Sequence, residues 1–66
     1  MVVRVNGTQR EIPDGSTIEK LMEYFHLQKK SVVFELNHKV ISRETYSLTK
    51  LKEDDILEIV HFVGGG

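Results

Sequence analysis

Asp55-Ile56-Leu57-Glu58-Ile59-Val60-His61-Phe62-Val63-Gly64-Gly65-Gly66 ends the chain of 66 residues. Leu57 and Ile59 alternate with Glu58, which predicts a last β-strand from Ile56 with a core-facing side and an outer side. Val60 and Phe62 share the outer side with Glu58. The apolar stretch, residues 56–63, runs directly into three glycines. Glycine has no Cβ, so such a run is floppy in water yet can straighten and enter a slot too narrow for any other residue. Three extended residues reach at most roughly 10 Å, enough to carry the terminal carbonyl carbon into another protein's active site. A frayed end or an expression remnant is the plainer explanation of a small-residue terminus. A strand reaching the glycines, with no basic tag, favours a carboxylate that a partner must reach.

Upstream, residues 52–55 read as a charged turn. Val2, Val3 and Val5 lead into Asn6-Gly7, the dipeptide best suited to a type I′ turn, with a return strand over residues 9–12. Pro13-Asp14-Gly15 is a turn cluster. Ser16 and Glu19 then have the spacing of a capping box, with Thr17 a rival cap one residue later. Ile18, Leu21, Met22 and Phe25 fall at i, i+3, i+4 and i+7, the apolar stripe of a helix lying on a sheet. The polar residues 28–31 end it. Residues 32–36 predict a strand with Val32, Phe34 and Leu36 on one side and Val33 and Glu35 on the other, followed by an Asn37-His38 turn. Val40 and Ile41 make a short strand, residues 43–47 one helical turn, and Leu48 and Leu51 are expected as core plugs. The order hairpin, helix, strand, short strand, strand excludes an alternating βαβα array. It implies an α+β fold: a mixed sheet of four to five strands with one main helix on one face. In a β-grasp arrangement the first and last strands are central parallel neighbours, and the tail leaves from the middle of the sheet.

Composition narrows function. Sixty-six residues suit one domain, 1–66 with a flexible tail at 64–66, and a domain this small buries only about 60% of its unfolded surface. No region can wall off an enzyme cleft, so the chain is expected to be a carrier or binder rather than a catalyst. It has no cysteine, which excludes disulfides, a thiolate nucleophile and sulfur-ligated zinc, and suits a reducing cytoplasm. Nine Lys and Arg against ten Asp and Glu give a formal charge of -1, without the basic surplus that drives nucleic-acid binding. No apolar run is long enough to span a membrane, and no signal segment opens the chain. A soluble cytoplasmic protein, monomeric when free, is the expectation.

The residues resemble the ThiS-like sulfur carriers of thiamine biosynthesis, within the ubiquitin-like and MoaD-like β-grasp superfamily. The resemblance runs the whole length. It is carried by Gly15-Ser16-Thr17-Ile18, by Phe34-Glu35-Leu36-Asn37 with Val40 and Arg43 after it, by residues 55–60, and by Val63-Gly64-Gly65-Gly66. Two positions depart from the pattern. Asp54 stands where glycine is usual, and Ser42 where proline is common; aspartate tolerates the left-handed backbone such a turn needs. The resemblance implies that an E1-like (ThiF-like) adenylating enzyme uses ATP and magnesium to convert the Gly66 carboxylate into an acyl-adenylate. A persulfide sulfur donor then displaces AMP. Reductive release of the donor then leaves a thiocarboxylate, which feeds a thiazole synthase (ThiG-like), with no cofactor bound by the carrier itself. Gly64 and Gly65 would thread the partner's active site. Sulfur delivery to molybdopterin, a ubiquitin-like modifier or adaptor, and an RNA-binding β-grasp module are the alternatives.

A leash also needs body contacts to position it. Val60, Phe62, Val63, Val33 and Glu58 are the candidate partner-binding residues, because exposed apolar groups on one sheet face form the expected anchor; Phe62 could instead tuck against the core edge. His26, His38 and His61 lack close ligand spacing and read as surface or helix-end residues rather than zinc ligands. Glu53, Asp54 and Asp55 read as a solvated turn rather than a metal cluster. Lys29 and Lys30 read as cations placed to offset the helix dipole. Arg43 reads as a brace for a turn.

Overall fold

Asn6 and Gly7 take φ of 49° and 83°, the positive angles of a type I′ turn, and so reverse β1 (Val2–Val5) into β2 (Thr8–Glu11). The computed structural model describes residues 1–61. Within them the chain continues through α1 (Ile18–Tyr24), a 3-10 turn at Lys29–Ser31, β3 (Val32–Leu36), β4 (Lys39–Val40), a second 3-10 turn at Arg43–Thr45, and β5 (Ile56–His61). Asn37 and His38 repeat the type I′ geometry, with φ of 50° and 73°, between β3 and β4.

The sheet has five strands in the order β2-β1-β5-β3-β4, with β1 and β5 parallel and the other pairs antiparallel. One helix joins one face of this mixed sheet, which is the expected β-grasp. Val3, Val5, Val32, Phe34, Leu57 and Ile59 form the inner side of the three central strands, and Ile18, Leu21 and Met22 of α1 complete the core. Phe25 and Leu27 are half-buried against it. No helix among the described residues is long and apolar enough to cross a membrane.

Local details show which of the competing signals prevailed. Thr17, not Ser16, caps α1: its Oγ1 accepts from the Lys20 N–H at 3.1 Å. The Ser16 hydroxyl is occupied elsewhere, donating to the Pro13 carbonyl at 2.6 Å, so the capping box does not form. The helix ends before the polar residues 28–31. His26 adopts φ of 56°, and its N–H bonds the Glu23 carbonyl while the Leu27 N–H bonds that of Met22, the paired bonds of a Schellman motif. Lys29 and Lys30 therefore lie beyond the last helical turn, where a dipole interaction has already faded. Lys29 instead sits 6.0 Å over the Tyr46 ring.

The largest departure lies in the connection to β5. Leu51 is a core plug as expected, but Leu48 is 77% exposed. Tyr46 takes the interior place: it is fully buried and meets Phe34 edge-on at 5.3 Å. The same connection covers the start of α1. The Ile18 N–H bonds the Thr49 carbonyl and the Glu19 N–H that of Tyr46, satisfying donors that a helix cannot satisfy internally. Asp55 is buried rather than solvated. Its carboxylate accepts from the Lys52 N–H at 2.7 Å and from Asn37 Nδ2 at 3.1 Å. Asp54 adopts φ of 68°, the left-handed conformation expected where glycine is usual. Ser42 sits at φ of -69°, the angle a proline ring would impose.

Candidate functional site

The tail of the sequence departs from β5, so the geometry of that strand defines the site. β5 is the central strand, paired with β1 through Arg4↔Ile56 and Val5↔Leu57 and with β3 from Leu36↔Leu57 to Val32↔His61. Leu57 and Ile59 point into the core, while Ile56, Glu58 and Val60 are exposed on the face away from the helix. Directly cross-strand on that open face, Val33 lies beside Val60 and Glu35 beside Glu58. The structure thus brings together Val60, Glu58 and Val33, three of the residues singled out as partner contacts. Phe62, Val63, Gly64, Gly65 and Gly66 lie outside the described residues.

The open face is graded. Its end nearest the tail is apolar, with Val60 48% exposed against half-buried Val33. One pair further back, two carboxylates stand opposite each other at Glu35↔Glu58, an arrangement that costs some stability unless a cation meets it. Toward β1, Ile56 joins Val2, Arg4, Gln9 and Asp54 around a shallow open depression of about 450 Å³. Ile56 and Arg4 were not anticipated here, although the same alternation that exposes Glu58 and Val60 also exposes Ile56.

Two asparagines grip this strand. Asn37 accepts from the Ile56 N–H through Oδ1 at 3.0 Å, and its own N–H donates to the Ile56 carbonyl at 2.7 Å. Asn6 does the same further along: its N–H donates to the Leu57 carbonyl at 2.9 Å, its Oδ1 accepts from the Ile59 N–H at 2.7 Å, and its Nδ2 donates to the Ile59 carbonyl at 3.2 Å. Sequence alone identified both as turn residues, because nothing local announces a bond spanning 53 positions. Arg43 Nη2 reaches the Val32 carbonyl at 3.5 Å, consistent with a bracing role at the start of β3. Glu53 accepts from the Val2 N–H, so the three consecutive acidic residues serve three separate structural purposes. Among the described residues no group of three or more His, Asp and Glu side chains is placed to hold a metal ion.

The ThiS family model matches residues 3–66, nearly the full length and including the three glycines. The chain belongs to the ThiS family. The sulfur carrier protein ThiS of Bacillus subtilis (strain 168) is 43% identical over 53 residues, covering 80% of each chain. A thiazole synthase of Magnetococcus marinus is 39% identical over the whole of this chain, and one of Paramagnetospirillum magneticum is 30% identical over the same span. This ThiS-family chain spans about a fifth of the length of those two synthases. Its fold superposes with a TM-score of 0.86 on the crystal structure of the thiamine biosynthesis protein ThiS from Geobacter metallireducens, at 30% identity and with both chains fully covered.

Proposed function

We infer that this chain, a ThiS-type sulfur carrier of thiamine biosynthesis, works through the carboxyl group of Gly66. The observation that carries the reading is the family match, which extends through the terminal glycines. A carboxylate resists nucleophiles because its charge is shared between two oxygens and its leaving group is poor. An E1-like partner removes that obstacle with ATP and magnesium, releasing pyrophosphate and leaving an acyl-adenylate. The persulfide sulfur of a donor protein attacks the acyl carbon and displaces AMP. A two-electron thiol reductant then cleaves the sulfur–sulfur bond, leaving a thiocarboxylate on Gly66. Donation of that sulfur to the thiazole precursor returns the carboxylate, so the chain is a recycled cosubstrate that needs no catalytic groups of its own.

Gly64 and Gly65 thread the partner's slot, and Gly66 presents an unhindered acyl carbon. Val60 and Val33 supply the apolar anchor, and Phe62 and Val63 are further apolar residues for the partner to contact. Glu58 and Glu35 receive a basic group of the partner, which relieves their mutual repulsion. The two synthase relatives hold a homologous stretch within one longer chain, which supports a thiazole synthase as the acceptor partner. Dependence on ATP and on a reductant suits the cytoplasm. Intact-mass analysis of the chain isolated gently from its host tests the reading. We expect a species with one terminal oxygen exchanged for sulfur, lost when Gly66 is deleted; an isopeptide bond to a target lysine instead would identify a protein modifier.

A further inference from the structure

Successive backbone groups of a strand point alternately to its two neighbours. The carbonyls of Asp55 and Leu57 accept from the Arg4 and Asn6 N–H groups of the β1 side, so the N–H and C=O of Ile59 point to that side as well. There β1 has already ended at Val5, and the chain turns away through Asn6-Gly7 toward β2. The Asn6 carboxamide fills the gap. It offers one acceptor and one donor in the arrangement of a peptide group, at 2.7 and 3.2 Å from the Ile59 N–H and C=O, and so adds one rung to the parallel ladder after the backbone has left.

We propose that Asn6 is a positioning residue for sulfur loading: by pairing with Ile59 on the side that β1 abandons, it holds β5 on both edges as far as Ile59 and so fixes the strand from which the chain continues to Gly66. The proposal rests on Gly66 being the group a partner transforms. It goes beyond that reading by assigning the anchoring of the last strand to a side chain in the opposite terminal hairpin. The turn itself does not require asparagine, since glycine accepts the same positive φ. Asn6→Gly therefore removes the clamp while keeping the hairpin.

Asn37 supplies a control that also loses a bond to the buried Asp55 carboxylate. Asn37→Gly deletes a carboxamide grip on the same strand, again at a type I′ position, but at Ile56, the end remote from the tail. Adenylation is read by ATP–pyrophosphate exchange with the adenylating enzyme at a temperature where all three chains are folded. Asn6→Gly should lower kcat/KM for the carrier by roughly tenfold, since small misplacements of a reacting atom are costly, while Asn37→Gly should stay within about twofold of the parent. Amide hydrogen exchange should show lost protection at Ile59 in Asn6→Gly and at Ile56 in Asn37→Gly. Exchange kinetics of Asn6→Gly equal to the parent's, an equal loss in Asn37→Gly, or unchanged Ile59 protection would overturn the positioning role while leaving the sulfur-carrier reading intact. No pyrophosphate exchange with the parent chain would overturn both.

Discussion

Residues 2–24 and residues 41–55 contribute to the same core in opposite ways. The first region is regular, with β1 and α1 each burying a periodic face and β2 an exposed edge strand. The second holds only a three-residue 3-10 turn at Arg43–Thr45, yet it buries Tyr46, Leu51 and Asp55. The regular region is organised by its own local pattern. The irregular one is organised by what it docks against: the open N-terminus of α1, the Phe34 ring, and the turn that starts β5. Irregular chain here acts as packing material and as a helix cap together, which explains how so small a domain closes its core with a seven-residue helix.

If the connection is core rather than covering, its substitutions should cost as much as any in the sheet. Tyr46→Ala is expected to destabilise by about 4 kcal/mol in urea denaturation, in the range for emptying a buried aromatic site. Tyr46→Phe should be neutral or stabilising, because the Tyr46 hydroxyl is buried with no hydrogen-bond partner among the described residues and its removal relieves a desolvated group. A large loss with phenylalanine would show that the ring's packing is not what matters. Asp55→Ala should cost about 2 kcal/mol by stranding the Lys52 N–H and the Asn37 amide, seen in the same denaturation experiment. For the regular region the corresponding local test is Thr17→Ala, expected to cost about 1 kcal/mol as a lost helix cap. The smallest effect falls back in the connection: Leu48→Ser should change stability by less than about 0.5 kcal/mol, although on hydrophobicity alone it looks equivalent to Leu51.

That contrast also explains what could be read without coordinates. Asn6-Gly7 marks a hairpin because its φ requirement is local, and the stripe from Ile18 to Phe25 marks a helix because its period is local. The alternation of Leu57 and Ile59 with Glu58 puts Val60 on the open face, and that of Val32 and Phe34 with Val33 and Glu35 puts Val33 there, where both are found. Tyr46 and Leu48 carried no period, so nothing within the segment distinguished the buried residue from the exposed one; the choice is made by Phe34 and α1. Ser16 and Thr17 competed as caps on equal local terms, and the Pro13 carbonyl decided between them by engaging Ser16. The clamp of Asn6 on Ile59 lay furthest from view, since it exists only once the first and last strands become parallel neighbours.

Placing β5 between a parallel and an antiparallel neighbour has a mechanical consequence. A pull along the strand from its His61 end loads the short ladder to β1 and the longer one to β3 in shear, their hydrogen bonds sharing the strain, instead of peeling them open one after another. A body built this way resists a pull on its last strand better than one whose edge strand is pulled.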